Sequence, residues 1–291
     1  MVTVDTERCT GCGSCVKVCH EHCMSLVDKK VAVDHAVCSS CTQCIAICPD
    51  QALSWDGVAP LSFDPSALPS PRQMDELLRQ RRTVRDFTDE PVARETLQEI
   101  VSYGTCAPTH NSHFRCIIVD SAEIIRLFDR EIFLFSQRMY RLFFRPRPMQ
   151  KLFRLFPAPF QEEFVRGKPK LEMAREWGRG FRSPPPALIC IVGDRRVPLS
   201  LESAQYALYT MSLVAQAKGI SSRNLVGNQM AFNRSKAIRN LLSLERHEKI
   251  FAMMGVGQPA VRFRNKVQGK LMKVQWNEGY RVRQNRTTPK S

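Results

Sequence analysis

Residues 9 to 49 hold nine of the chain's twelve cysteines, laid out as two copies of one spacing. Cys9, Cys12, Cys15 and Cys19 follow C-x2-C-x2-C-x3-C, and Cys38, Cys41, Cys44 and Cys48 repeat it 29 residues later. Three thiolates so close together suit three corners of one small cube while the fourth points away. In the two-cluster iron–sulfur arrangement with this spacing, the last cysteine of each run ligates the other cluster. Cluster I would then take Cys9, Cys12, Cys15 and Cys48, and cluster II would take Cys38, Cys41, Cys44 and Cys19. The crossing ties the two halves together.

The competing readings are structural zinc and disulfides. Zinc sites pair two C-x2-C knuckles across a loop of roughly 12 to 20 residues, and a third cysteine three positions after the second is surplus to a tetrahedron. Disulfides need an oxidising compartment, whereas Met1 to Thr10 has neither the basic start nor the apolar core of a signal peptide. Overlaying the two copies sets Cys23 on Ala52, Met24 on Leu53 and His20 on Pro49, so Cys23 reads as packing. Residues 1 to about 60 resemble the bacterial two-cluster ferredoxins, which implies two 4Fe-4S clusters in an electron-transfer module.

A chain of 291 residues has room for such a module and one further domain with a full core. No apolar run approaches the ~18 residues that cross a bilayer, and a soluble, cytoplasmic protein is expected. Charge divides the chain. Residues 1 to 64 carry four Lys/Arg against eight Asp/Glu, and the remainder carries 39 against 20, a balance of +19. A basic body suits nucleic acid, an anionic membrane, an acidic redox partner or the chain's own acidic module, and composition does not choose among them.

Pro60 to Pro71 contains four prolines, the chemistry of a stiff linker, here taken as residues 61–71. Ser70-Pro71 is a good helix opening, with Met74, Leu77 and Leu78 on one stripe. That helix runs into Arg81-Arg82-Thr83-Val84-Arg85-Asp86-Phe87. Three arginines and a hydroxyl in five residues are either a solvated turn or a phosphate site, where guanidinium forks and a hydroxyl meet phosphate oxygens. Pro91 then opens a second helix with Leu97, Ile100 and Val101 inward and Gly104 at its end. The loop Cys106 to His113 leads into a strand at Phe114 to Asp120.

Arg-Arg-Thr-x-Arg-x-Phe, a short helix, and Ala-Pro-Thr-x-Asn before a strand resemble the FMN-dependent nitroreductase family. The resemblance implies that Arg81, Arg82, Thr83 and Arg85 grip the flavin phosphate and ribityl chain and that Asn111 hydrogen-bonds the flavin. His113 stands where the family often has Gln. It also implies a backbone contact from Gly227 to the ring edge, a phosphate contact from Lys270, and a homodimer. Electrons would come from a ferredoxin or other redox donor, or from NAD(P)H. They would leave to a small nitro, quinone or enone acceptor, with no catalytic side chain assigned and no nucleic-acid or membrane partner expected. The alternatives are an electron carrier or redox sensor without a small substrate, and a basic nucleic-acid-binding protein with a structural cluster.

From Ile132 to Gln161 there is no acid, but six arginines and lysines alternate with Phe133, Phe135, Tyr140, Phe143, Phe144, Phe153, Phe156 and Phe160. Such interleaving suits single-stranded nucleic acid, a membrane surface or a basic helical hairpin packed on the domain. The insert, about 130–182, falls where the family carries its variable cap, so a lid over the flavin is expected.

Ser121 caps a helix with Ile124, Ile125 and Phe128, and Ala187 to Val192 and Ile250 to Val256 read as buried strands. Between them, Ala204, Ala207, Leu208, Met211, Val214 and Ala215 lie at helical spacing, with Gly219 as the stop. The small residues of that stripe suit the family's dimer core. Asn233 is expected to cap a helix bearing Ile238, Leu241 and Leu242. Gly255-Val256-Gly257 mimics a dinucleotide fingerprint, but Pro259 and the polar residues after it leave no apolar helix to receive a pyrophosphate. Cys116 and Cys190 read as core, and Cys106 borders the flavin loop. The expected fold is α+β: a small two-cluster ferredoxin-like domain at 1–60, then a nitroreductase-like mixed sheet with packed helices over 72–291.

Overall fold

The computed structural model describes residues 1–109, 114–144, 155–267, 274 and 276. Asn111, His113 and Lys270 lie outside the described residues, as does the middle of the basic insert.

The doubled cysteine spacing is also a doubled structure. Helix α1 (Ser14–Val18) and helix α2 (Gln43–Ile47) stand 29 residues apart, each preceded by a left-handed residue, Gly13 at φ 75° and Thr42 at φ 61°. Each ends on an extended cysteine, Cys19 or Cys48. Strand β1 (Val2–Val4) pairs antiparallel with β4 (Leu53–Trp55), and β2 (Met24–Val27) with β3 (Lys30–Val33). Glycine is required at Gly11, where φ is +71° and a Cβ would sit 2.1 Å from the Lys29 carbonyl oxygen. Val2, Cys9, Cys15, Cys23, Met24, Val31, Cys44, Ala52 and Leu53 make up the buried core of this region. Cys23 is among them, with its Sγ 3.3 Å from Cys19 Sγ.

Helix α3 (Pro71–Gln80) opens as its sequence specifies. Gln73 N–H donates to Ser70 Oγ, and Ser70 N–H donates back to the Gln73 side chain, closing a capping box with Pro71 in the first turn. Helix α4 (Arg94–Ser102) starts three residues later than Pro91 would have it. Val92 is drawn into the core, and Ala93 keeps an extended ψ of 139°, so the chain turns helical only beyond it. Leu97 and Ile100 are fully buried as expected.

The main sheet has strand order β5-β6-β8-β7, with every neighbouring pair antiparallel. Its members are β5 (Phe114–Val119), β6 (Ala187–Asp194), β7 (Ser221–Asn224) and β8 (Glu248–Gly257). A parallel bridge between Thr83 and Ser222 makes the β7 edge mixed. Strand β6 alternates between two cores. Ala187, Ile189 and Ile191 face one side with α4 and α7 (Ser200–Ala217), and Leu188, Cys190 and Val192 face the other with α5 (Ala122–Phe144). Between Ile191 and Val192 the register with β8 slips, two residues opposing one, and Phe251 and Ala252 consequently join the same core. Cys190 is fully buried, and its thiol is pushed up to about 12 by that burial.

Two sequence expectations are corrected on this frame. The small-residue stripe of α7 is not free for a second chain: Ala204, Ala207, Leu208, Met211 and Ala215 are buried in this chain's own core. There Gly104 admits Met211 so closely that a Cβ would lie 2.2 Å from Met211 Cε. The face that α7 leaves outward carries Leu201, Tyr206 and Tyr209 instead. Nor does Asn233 cap a helix. Its side chain donates to Ile250 O at 2.9 Å and accepts from Ile250 N at 2.8 Å, pinning α8 (Gln229–Arg234) to β8. The cap of α9 (Lys236–Leu241) is Ser235, whose Oγ accepts from Ile238 N.

Candidate active site

The crossing of the two cysteine runs is visible in the fold. Cys9, Cys12, Cys15 and Cys48 line one small cavity, together with Gly11, Leu26, Val31 and Leu53. Cys48 arrives there from the end of α2, and Lys30 Nζ donates to Cys9 O across the mouth of the first run. Among the described residues no three His, Cys, Asp or Glu side chains are placed to hold a single metal ion. In the second set, Cys38 and Cys44 pack in the same core as Cys19.

The arginine stretch does not act as one unit. Val84 N–H donates to Ser222 O at 3.1 Å and Thr83 makes an isolated parallel bridge to Ser222, so this segment passes alongside β7. Side chains alternate along it as they do along a strand. Arg82 and Val84 therefore line one cleft of about 650 Å³, with Arg79, Arg262, Arg264 and Lys266. Thr83 and Arg85 line another, of about 790 Å³, which also contains Gly227. Arg81 belongs to neither. Its guanidinium lies 5.8 Å from the Tyr209 ring centroid, and its buried Nε has no hydrogen-bond partner among the described residues.

The larger cleft is roofed by the insert. Helices α5 and α6 (Ala158–Trp177) form a hairpin held by cations of α6 against rings of α5: Arg175 lies 5.9 Å from the Tyr140 ring, Lys168 lies 5.9 Å from that of Phe144, and Tyr140 Oη donates to Glu172. Its far end is locked to α5, because Phe181 N–H donates to the Asp129 carboxylate. Burial raises the pKa of that carboxyl group even so. Gly180 there has no room for a Cβ, which would sit 2.5 Å from Asp129 O. Lys170, Met173 and Trp177 of α6 face the cleft opposite Thr83 and Arg85. Arg182 pairs with Asp86 at 3.1 Å just beyond them.

Gly227 sits in the turn after β7, where nothing lies within 4 Å of a Cβ position, so its backbone is open to a ligand. One residue of this cleft escaped the sequence reading. Arg223 on β7 has its Nη1 buried with no hydrogen-bond partner among the described residues, and its guanidinium lies 5.6 Å from the Phe181 ring. Burial lowers its pKa first, and the positive charge of Arg85 lowers it further. The sequence holds a signal for it: the stretch from Ser221 to Gly227, whose glycine the family resemblance sets at the ring edge, contains a single charged side chain.

A family model described as the nitroreductase family matches residues 78–258, and one described as a 4Fe-4S binding domain matches residues 1–21. No curated protein matches the chain. Among similar solved structures is a nitroreductase with bound FMN from Desulfitobacterium hafniense DCB-2, at 18% identity and TM-score 0.48 over 69% of this chain and 97% of that one. An FMN-dependent nitroreductase from Clostridium difficile R20291 aligns at 19% identity and TM-score 0.48, covering 70% and 99%. One from Bacteroides fragilis NCTC 9343, with bound FMN, aligns at 15% and 0.49, covering 70% and 99%. Because the family match runs from the last turns of α3 to the end of β8, well over half of the sequence, the chain belongs to the nitroreductase family of oxidoreductases, with a 4Fe-4S binding domain at its N-terminal end.

Proposed function

We propose that this protein is an iron–sulfur flavoprotein that passes electrons from two 4Fe-4S clusters through FMN to a small acceptor of nitro, quinone or enone type. Its parts are a ferredoxin-like module at 1–60, a linker at 61–71 and an FMN domain at 72–291, the last paired with a second copy as a cytoplasmic homodimer. The observation that supports this reading most is the seating of Cys48 in the cavity of Cys9, Cys12 and Cys15, since crossed ligation is the signature of the two-cluster arrangement.

Bound FMN would supply the exchange between one-electron clusters and a two-electron acceptor. The chain's own residues hold and shield it. Arg85 offers a guanidinium fork and Thr83 a hydroxyl to the phosphate and ribityl groups, and the open backbone at Gly227 approaches the ring. Asn111, His113, Arg81 and Lys270 are assigned to the same cofactor by family resemblance, whereas Arg82, which the resemblance would add, faces the other cleft. Met173 and Trp177 of the hairpin exclude water from the acceptor face. The acidic module docks on the basic domain by opposite charge, and the stiff linker raises their effective concentration. A reduced ferredoxin is the proposed donor, with NAD(P)H as the competing one.

Anaerobic purification followed by metal, sulfide and flavin analysis tests the cofactors. About eight iron and eight acid-labile sulfide per chain are expected together with FMN. Zinc without sulfide would end the reading. A Cys41→Ser variant should keep FMN yet fail with reduced ferredoxin as donor, and equal rates in variant and wild type would remove the clusters from the route.

A further inference from the structure

We propose that the cleft beneath the hairpin selects an aromatic carboxylate as its acceptor, with Arg223 as the carboxylate's anchor. The inference rests on the flavin reading of this same cleft and adds the chemical class of the molecule that enters beside it.

The lining has two characters. Met173, Trp177, Val226 and Phe263 offer apolar surface, with Trp177 41% and Phe263 56% exposed. Arg85, Lys170, Arg182 and Arg223 bring four cations against one acid, Asp86. That acid is already taken, because Asp86 Oδ1 accepts the Arg182 guanidinium at 3.1 Å. Of the three cations left over, Arg85, Lys170 and Arg223, it is Arg223 whose Nη1 is buried without a partner among the described residues. Phe181 fixes the position of that guanidinium by stacking beside it at 5.6 Å but gives it no acceptor. An unpaired buried donor on a charged group costs stability, and a ligand that brings an acceptor removes that cost. A carboxylate fits a guanidinium fork, and an aromatic body fits the Trp177 and Phe263 surfaces. Nitrobenzoates and quinone carboxylates have that shape. Uncharged acceptors have only half of it.

The test uses the full-length FMN-loaded protein under anaerobic conditions and titrates it calorimetrically with two non-reducible probes of one shape, benzoate and benzamide. Wild-type protein should bind benzoate about tenfold or more tightly than benzamide, the margin of one charge-assisted hydrogen-bond pair. Arg223→Met should abolish that preference while FMN occupancy, read from the flavin spectrum, stays at the wild-type level. Arg223→Lys keeps the charge but not the fork, and should retain only part of the preference; it also serves if the methionine variant fails to fold. Equal affinity for the two probes, no binding of either, or a preference untouched in both variants overturns the proposal. Loss of FMN from the Arg223 variants also overturns it, because the guanidinium would then belong to the flavin. Wild-type protein that takes up no FMN is a separate outcome: it refutes the flavin reading, and this inference falls with it.

Discussion

The two parts of this chain are stabilised by different means. In residues 1 to 58, the buried core is nine side chains, and four of them are the cysteines Cys9, Cys15, Cys23 and Cys44. Two five-residue helices and two two-stranded ribbons surround it. A stretch of this size buries only about 60% of the surface its unfolded chain exposes and needs a staple, which metal ligation supplies. The larger part needs none. Its strands β6 and β8 are buried along almost their whole length, and helices cover both faces of the sheet. In the first part ligand geometry dictates the sequence, whereas in the second it is hydrophobic patterning. The two should therefore fail separately.

Removing iron by anaerobic chelation is the harshest test of that separation. Amide protection over residues 1 to 58 should collapse to near zero, while β6 and β8 stay protected in the same hydrogen-exchange experiment. Protection that survives in the first region would place it among self-sufficient cores. The converse experiment is Met211→Ala, which empties the space between α7 and Gly104 and should cost the larger part about 2–5 kcal/mol in urea unfolding. Iron content should not change, and if it falls with the fold the two parts are coupled.

Smaller effects sharpen the comparison at the cofactor level. Arg85→Ala should weaken FMN binding by about tenfold, as removal of one charge-assisted contact predicts, and should leave iron and sulfide untouched. Equal flavin affinity in the variant would move the phosphate to the Arg82 cleft. The smallest effect concerns the pair that ties β5 to β8 across β6. Arg115 donates twice to Glu248, at 2.8 and 2.9 Å, and holds its carboxyl down at about 2. A depressed carboxyl pKa stabilises the fold above its unfolded value of about 4.3 and loses that contribution as pH falls toward 2. Arg115 is 44% exposed, so solvent screening reduces the cost of Glu248→Gln to about 1 kcal/mol at pH 7. The gap between variant and wild type should hold down to about pH 4.5 and close below it. A gap that widens in acid would rule the pair out as its cause.

Much of the architecture could be read from the residues because it depends on local chemistry. The cysteine spacing, the Ser70-Pro71 opening and the continuous apolar runs at Ala187 and Ile250 each carry their own physical reason. What could not be read depends on pairing. Nothing in Arg81 to Arg85 says that Arg82 and Thr83 face different clefts, since the alternation exists only once Val84 bonds to Ser222. Asn233 looks like a cap, yet it finds both hydrogen-bonding groups of Ile250 within reach and leaves the capping to Ser235. The alanines of α7 read as a surface for another chain, but this chain's own core buries them. An arginine in a short polar strand looks solvated, and only the fold shows that Arg223 Nη1 is buried without a partner among the described residues.

The division of Arg82 to Arg85 between two clefts has a consequence for how this stretch can change over time. The segment, pinned at Thr83 to Ser222, shows Thr83 and Arg85 to one cleft and Arg82 and Val84 to the other. Shifting the pairing by a single residue would exchange these two pairs, sending the side chain of Arg82 to the roofed cleft and that of Thr83 to the other. A two-residue change would restore the assignment. Point substitutions can tune either space alone, but the length of the segment is held to parity, as if two binding sites shared one line of type set on both sides of the page.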